Sequence, residues 1–342
     1  MKPVPIRRVV VIGDGSWGTA LSLVCLRAGL DVTLWSAFPE QADDMLRDRE
    51  NKRFLAGTPL PPELRITADP FTAAAEVELA LSVVPTQFVR GVAERFEDAL
   101  PGDVPIVSAT KGIEIETFKT PLDILGEVLG ERPLAVLSGP SHAEEVAQAL
   151  PCSVVCASTD VALAERVRDA LTGDAFRIYS SADPKGVQLG GALKNVIAIA
   201  AGISDGLGLG DNAKSALLTR GMVEMARFGR ACGAEAETFF GLAGFGDLVT
   251  TCCSRHSRNR KVGEEIGKGK SLKEVLAEMK MVAEGVWTTK ALFGPEAEGR
   301  AVAMPIAEQV HAVLFESKDP RDAVLDLMRR APAAEMEGLE LA

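Results

Sequence analysis

Lys194 sits in the middle of a segment, Val187 to Ile203 (VQLGGALKNVIAIAAGI), that is apolar on nearly every side. A helix apolar all round is normally a buried one. An ammonium group taken out of water must find a partner or release its proton more readily. A lysine so placed can act as an acid or base. Its ordinary fate would be to snorkel to the surface from a helix edge. What favours chemistry is the segment that follows, Ser204 to Asn212 (SDGLGLGDN), which reads as a glycine-rich loop able to bring backbone close to a ligand.

A second concentration of polar groups lies further on. Gly241 to Leu248 (GLAGFGDL) reads as a glycine-rich turn carrying Asp247, and Thr250 to Lys261 follows with Ser257, Arg258, Asn259 and three further cations, Arg255, Arg260 and Lys261. The arginine fork matches phosphate, and serine or asparagine can serve the remaining oxygens. A solvated basic helix start is the plainer reading, but the turn bringing Asp247 close favours an anion site.

A third pattern stands at the start of the chain. Arg8 to Ile12 is a β-branched run, Gly13-Asp14-Gly15-Ser16-Trp17-Gly18 follows, and a helical pattern runs from Thr19 to Ala28 before Gly29 closes it. This is GxGxxG between a strand and a helix. Its glycines serve the tight turn, the approach of a pyrophosphate, and helix-strand packing, and the helix N-terminus offers unpaired N–H groups to the phosphates. Dinucleotide binding by Gly13, Gly15 and Gly18 is expected. The second strand, Asp31 to Trp35, ends in Ser36-Ala37 where a site for the free ribose would place a carboxylate, so NAD and NADP both remain open.

The elements that must position these groups divide the 342 residues in two. Further strands are predicted at Leu79 to Val84, Val104 to Ser108, Leu134 to Ser138 and Ser153 to Ala157, with helices between them at Phe88 to Leu100 and Val161 to Leu171. That alternation predicts an α/β fold with a Rossmann-type, doubly wound parallel sheet over residues 1–183. Turns at Val84 to Thr86, Ser108 to Gly112 and Ser138 to Ser141 would line its carboxyl edge. From Pro184 the pattern is helical only, at Ser215 to Cys232, Arg260 to Gly267, Ser271 to Met279, Pro305 to Phe315 and Pro320 to Arg330, so residues 184–342 read as an all-helical substrate domain. Residues 331–342 read as a loosely held tail.

Composition narrows the function. A net charge of -11 argues against nucleic acid and anionic membrane surfaces. The longest apolar run, Val196 to Ile203, is short of the roughly 20 residues a membrane helix needs, and the first apolar run stops at Gly13, so a cytoplasmic protein is expected. The six cysteines show no CxxC spacing and only three histidines accompany them, so reduced thiols and no metal site are expected.

Six motifs in order, GDGSWGTAL, ATKGIE, SGPSHAEEVA, GALKNVIAIAAGISDGLGLGDN, GLAGFGDL and SRNR, resemble the bacterial NAD(P)-dependent glycerol-3-phosphate dehydrogenases from Val9 to about Arg330. The resemblance implies hydride exchange between NAD or NADP and dihydroxyacetone phosphate, giving sn-glycerol 3-phosphate for phospholipid synthesis, by a homodimer. It implies Lys194 as the catalytic lysine; Lys111, Gly139, Ser141, Asp247, Ser257, Arg258 and Asn259 on the substrate side; and Ser16, Trp17, Lys111, Ala143, Arg258, Val282 and Glu284 beside the cofactor. Two positions depart from the family. Ser36-Ala37 replaces the arginine that would suit a 2′-phosphate, leaving Arg47, Arg49 or Lys52 as substitutes. Asp14 replaces an alanine, and a carboxylate beside a pyrophosphate is unfavourable unless it points to solvent. A β-hydroxyacid-type dehydrogenase, with a carboxylate substrate, and a cofactor-binding regulator without turnover are the competing readings.

Overall fold

The computed structural model describes residues 5–279, 282–297, 302–332, 334 and 335. Most of the expected tail at 331–342 lies outside the described residues. The chain divides into two compact units, one of residues up to Thr110 with Pro121–Pro184, the other of Lys111–Thr120 with Lys185 onward. Assigning 1–183 to a single first domain therefore differs at one stretch, since Lys111–Thr120 groups with the helices.

The first unit is a Rossmann-type sheet with helices. Its elements are β1 (Arg8–Ile12), α1 (Ser16–Arg27), β2 (Asp31–Trp35), α2 (Pro39–Asp48), β3 (Arg65–Thr67), α3 (Pro70–Ala74), β4 (Leu79–Ser82), α4 (Val89–Glu94), β5 (Ile106–Ser108), α5 (Pro121–Leu129), β6 (Leu134–Ser138), α6 (Ala143–Ala147), β7 (Cys152–Ala157), α7 (Val161–Leu171) and β8 (Phe176–Ser181). The sheet order is β3-β2-β1-β4-β5-β6-β7-β8. The central strands are mostly apolar, Val9 to Ile12 in β1 and Leu79 to Leu81 in β4, and buried on both faces, as parallel strands covered by helices must be.

The expectation of an all-parallel sheet fails at β7, which pairs antiparallel with β6. The link between them holds only the five-residue α6 and turns back at the same end of the sheet, where a parallel neighbour would need a crossover. Helix α7 then provides that crossover, and β8 runs parallel to β7. Strands β3 and β8 were not predicted. β3 has three residues, too few to show a pattern. β8 does alternate, with Phe176 and Ile178 buried between exposed Arg177 and Tyr179, the signature of a one-sided strand at a sheet edge.

The second unit is helical: α8 (Pro184–Gly206), α9 (Gly210–Ala231), α10 (Asp247–Cys253), α11 (Arg258–Gly267), α12 (Leu272–Glu278), α13 (Glu284–Leu292), α14 (Pro305–Phe315) and α15 (Pro320–Met328). Helix α8 is the centre of its core. It is longer than its apolar run implied. By length and composition alone it could cross a membrane, yet its most apolar stretch is wholly buried inside the protein. Glu224 of α9 caps α14, its carboxylate accepting from the amides of Ile306 at 3.0 Å and Ala307 at 2.9 Å.

The expected loop at Ser204 to Asn212 is mostly helix. Ser204 to Gly206 end α8, Gly210 opens α9, and only Leu207 to Leu209 connect them. Gly208 and Gly210 take positive φ in open space, whereas Gly206, with Gly202 one turn before it, answers to a neighbouring helix. A Cβ at Gly202 would stand 1.9 Å from the Arg260 carbonyl oxygen and one at Gly206 2.3 Å from that of Glu264. Reciprocally, a Cβ at Gly263 would meet the Ile199 oxygen at 1.9 Å and one at Gly267 the Ile203 oxygen at 2.6 Å. Each glycine in a helix interior costs roughly 0.5–1 kcal/mol against alanine. Here four of them, paired at i and i+4 on both helices, let the backbones of α8 and α11 touch. That contact brings short side chains of the two helices within reach of each other.

Candidate active site

In the sheet unit the chain leaves β1 between β2 and β4, where the strand order reverses and ligands of such sheets sit. The amide of Gly13 donates to the Trp35 carbonyl at 3.0 Å. Gly13 has φ +115, and a Cβ there would lie 2.9 Å from the Val83 oxygen; one at Gly18 would lie 1.8 Å from the Gly13 oxygen. These two glycines are demanded by the protein itself. Gly15 is different: it precedes the first turn of α1, no side chain caps that turn, and a Cβ there would meet nothing within 4 Å. The space and the unpaired amides fit a dinucleotide pyrophosphate. Ser16 is buried in the same turn, and Trp17 is half-buried with its indole Nε1 shielded and lacking a partner among the described residues. Ala143 opens α6, which packs on α1.

Asp14 does not turn to solvent. It is buried, and its Oδ2 accepts a hydrogen bond from Ser36 Oγ at 2.8 Å, across the ends of the paired strands β1 and β2. Burial pushes its carboxyl above the usual range, against the opposing effects of Ser36 and of Arg53. Asn51, which sequence reasoning passed over, holds the turn from behind: its Nδ2 donates to the Asp14 carbonyl at 2.7 Å and to Thr19 Oγ1 at 2.8 Å. The three cations considered as substitutes are engaged elsewhere. Arg47 pairs with Asp44 and Asp48, Lys52 with Asp48, and Arg49 donates to the carbonyls of Pro61 and Leu64. The arginines that do stand by the end of β2 are Arg95, over the Trp35 ring at 4.6 Å, and Arg53, over the Phe54 and Phe38 rings at 5.0 and 5.9 Å. After β6, Gly139 has φ +142 and a Cβ there would press on Val154, so the position takes glycine on both counts, and Ser141 Oγ donates back to the Gly139 carbonyl at 2.9 Å.

In the helical unit three of the singled-out residues converge. Lys194 Nζ lies 3.0 Å from Asp247 Oδ1, and Lys111 Nζ lies 2.7 Å from Asp247 Oδ2, so one carboxylate is shared by two ammonium groups. Side-chain exposures of 8% for Lys194 and 3% for Asp247 place the pair away from water. Asp247 is held by its position. The turn Leu242–Gly246 leads into α10, whose first residue is Asp247, and the bare face of Gly190 on α8 admits that turn, since a Cβ there would stand 2.9 Å from the Ala243 oxygen. Lys194 also donates to Thr251 Oγ1 at 2.6 Å. Thr251 had no signal beyond its spacing of one helical turn from Asp247.

The electrostatics follow from this geometry. Burial lowers the Lys194 pKa from 10.5 to about 8; Asp247 opposes the shift and the like charge of Lys111 assists it. For Asp247, burial acts to raise the pKa, but the two ammonium groups outweigh it and hold the carboxyl below its usual value. Two lysines against one aspartate leave a net positive charge, suited to an anionic substrate.

The basic run after α10 splits. Ser257 caps α11, accepting from the Arg260 amide at 3.2 Å. Exposed Arg258 reaches the Val282 carbonyl at 2.8 Å, which brings it beside the Val282 to Gly285 segment containing Glu284. Arg260 turns away, to Asp205 at 2.6 Å and Glu264 at 3.5 Å, so the compact cluster of three arginines expected from the sequence does not form. Asn259 is buried, donating to Asn195 Oδ1 at 2.8 Å and accepting from the Gly285 amide at 2.9 Å. Its amide is thus tied to Asn195, the neighbour of Lys194, across the glycine contact of α8 and α11.

Family models for the N-terminus and the C-terminus of NAD-dependent glycerol-3-phosphate dehydrogenase match residues 8–164 and 183–325. The chain is 49% identical over 331 residues to a protein of Citrifermentans bemidjiense named glycerol-3-phosphate dehydrogenase (NAD(P)+), covering 96% of this chain and 98% of that one. A protein of the same name from Geobacter sp. strain M21 is 50% identical over the same shares. The crystal structure of glycerol-3-phosphate dehydrogenase from Coxiella burnetii, 39% identical, superposes with a TM-score of 0.90 over 95% of this chain and 99% of that chain.

This chain belongs to the NAD-dependent glycerol-3-phosphate dehydrogenase family.

Within this family framework the residues named from the sequence fall into four groups. Gly13, Gly15, Ser16, Trp17 and Gly18 share one turn of the sheet unit; Lys111, Lys194 and Asp247 share one ion cluster of the helical unit; and Ser257, Arg258 and Asn259 share one helix start with Val282 and Glu284 nearby. Gly139, Ser141 and Ala143 follow β6 in the sheet unit. Asn51, Asn195 and Thr251 are the positioning residues that the motifs did not single out.

Proposed function

We infer that the chain is an NAD(P)-dependent sn-glycerol-3-phosphate dehydrogenase, which exchanges a hydride between NAD(P)H and dihydroxyacetone phosphate to give sn-glycerol 3-phosphate. The observation that carries this reading is the buried Lys194, sharing Asp247 with Lys111, in a chain whose family membership covers both units. The bound nicotinamide supplies or accepts the hydride. Lys194 delivers a proton to the ketone oxygen as charge develops there, or removes it from the alcohol in the other direction, and a pKa of about 8 suits both. Asp247 and Thr251 hold the lysine Nζ in place, and Lys111 adds positive charge for the substrate. Ser257, Arg258 and Asn259 are assigned to the phosphate end, Arg258 by its guanidinium and Asn259 by fixing Asn195, with Gly139 and Ser141 completing the substrate side. Gly13, Gly15, Ser16, Trp17, Gly18, Ala143, Lys111, Arg258, Val282 and Glu284 are assigned to the cofactor. Binding energy at the phosphate then aligns the carbonyl for attack.

The test is loss of reduced-nicotinamide absorbance with dihydroxyacetone phosphate, set against a β-hydroxyacid under the same conditions. Turnover with the phosphate ester alone supports the reading; turnover with the acid alone removes it. The family relationship also supports a cytoplasmic homodimer feeding phospholipid synthesis, and light scattering giving a monomer mass would remove the dimer.

A further inference from the structure

A dinucleotide site of this sheet type reads the adenosine ribose with a carboxylate at the end of β2, and that position here is Ser36. The carboxylate is nevertheless present. It arrives from the adjacent strand: the register pairs Ile12 with Trp35, so the turn after β1 lies against the residue after β2, and Asp14 Oδ2 sits 2.8 Å from Ser36 Oγ. Apart from Ser36 and its own backbone amide, no described residue is seen to donate to the Asp14 carboxylate, and Arg53 acts on it only through its charge. The backbone of Asp14 is clamped by Asn51. A carboxylate offers more acceptor sites than these donors fill, so one fixed at the end of β2 can accept a ligand hydroxyl.

We propose that Asp14, delivered through Ser36, is the ribose-reading and specificity-determining carboxylate of this enzyme, accepting from the free 2′-hydroxyl of NAD(H) and disfavouring the 2′-phosphate of NADP(H). The proposal rests on the dinucleotide reading of the Gly13 to Gly18 turn. A 2′-phosphate brings close to two further negative charges against Asp14. The opposing cations are Arg53 and Arg95, and each is held face-on by aromatic rings, Arg95 also donating to the Ala37 carbonyl at 3.3 Å. Arg47, Arg49 and Lys52 are engaged away from this point.

Equilibrium binding of NADH and NADPH to the full chain without substrate, measured by titration calorimetry, reads this directly. The wild type is expected to bind NADH at least about tenfold more tightly. Asp14→Asn keeps an acceptor for Ser36 while removing the charge, and should bring the two constants within about threefold, chiefly by tighter NADPH binding. Arg53→Ala should leave the ratio nearly as it was. Equal or tighter NADPH binding by the wild type, an unchanged ratio in Asp14→Asn, or selective loss of NADPH binding in Arg53→Ala would each overturn the assignment. Competition on the wild type alone gives a check that needs no variant to fold: adenosine 5′-diphosphate should displace NADH at lower concentration than adenosine 2′,5′-bisphosphate, and the reverse order would also overturn it. Binding of neither cofactor by the wild type would be a distinct failure, removing the dinucleotide reading itself.

Discussion

Each unit of this protein buries an aspartate at its centre of interest, and the two differ in almost every other respect. Asp247 faces two ammonium groups, Lys194 and Lys111, and its carboxyl is held below the usual value in spite of burial. Asp14 faces a hydroxyl, and burial pushes its carboxyl upward. The carboxylate of the helical unit is paired within the protein with one positive charge to spare; that of the sheet unit meets a hydroxyl and only the more distant charge of Arg53. The first arrangement is suited to positioning a proton donor. The second is suited to receiving a ligand hydroxyl.

Substitutions can pull this contrast apart. The largest effect is expected from Lys194→Ala, which should lower kcat by about a hundredfold to ten-thousandfold while calorimetric cofactor binding persists; turnover near the wild-type value would remove the lysine from the chemistry. Its melting temperature should change little, because burial already disfavours that charge. Asp247→Asn should do the opposite to stability, since it strands two ammonium groups, costing about 3–5 kcal/mol in denaturant unfolding. If Asp247→Asn unfolded at the wild-type midpoint, the two lysines would not depend on it.

Gly202→Ala tests the helix contact beneath the cluster. A methyl group at 1.9 Å from the Arg260 oxygen must push α8 and α11 apart, at about 1–3 kcal/mol. It should also raise the apparent substrate constant if the Asn195 to Asn259 bond matters to the phosphate end. Unchanged stability would mean the helices separate freely there.

The pH dependence is a finer test. Ketone reduction needs protonated Lys194, so its rate should fall as pH rises through about 8, while alcohol oxidation should rise over the same range. Lys194→Arg should lose that inflection, since arginine stays charged. For stability the sign runs the other way from a paired cation. Between about 8 and 10.5 the unfolded lysine holds a proton that the folded one has released, so this group adds stability as pH rises across that window and loses it as pH falls through about 8. The smallest effect is expected from Asp14→Asn, whose stability at neutral pH should equal or exceed that of the wild type because its ionised form is disfavoured by burial. A loss as large as that of Asp247→Asn would erase the distinction between the two aspartates.

Local rules were enough for much of this. The β-branched run, three glycines and the helix after them announced the phosphate turn because strand, turn and helix each depend on residues close in sequence. Apolar residues all around Lys194 announced a buried amine because burial of a helix is written in its own periodicity. The six ordered motifs carried the family, and the helical pattern from Pro320 marked a helix that the structure forms, with Asp319 accepting from the Arg321 amide. What the tertiary structure alone decided were relations between distant segments. That β7 reverses, that Gly202 and Gly206 serve a helix contact, and that Arg260 leaves the anion cluster for Asp205 all depend on which backbone lies opposite. So does the meeting of Asp14 with Ser36, 22 residues apart, and of Lys111 with Asp247, 136 apart. A side chain's own neighbours in sequence set its secondary structure and burial, but the groups that shift its proton affinity come from segments brought within a few ångströms only by folding.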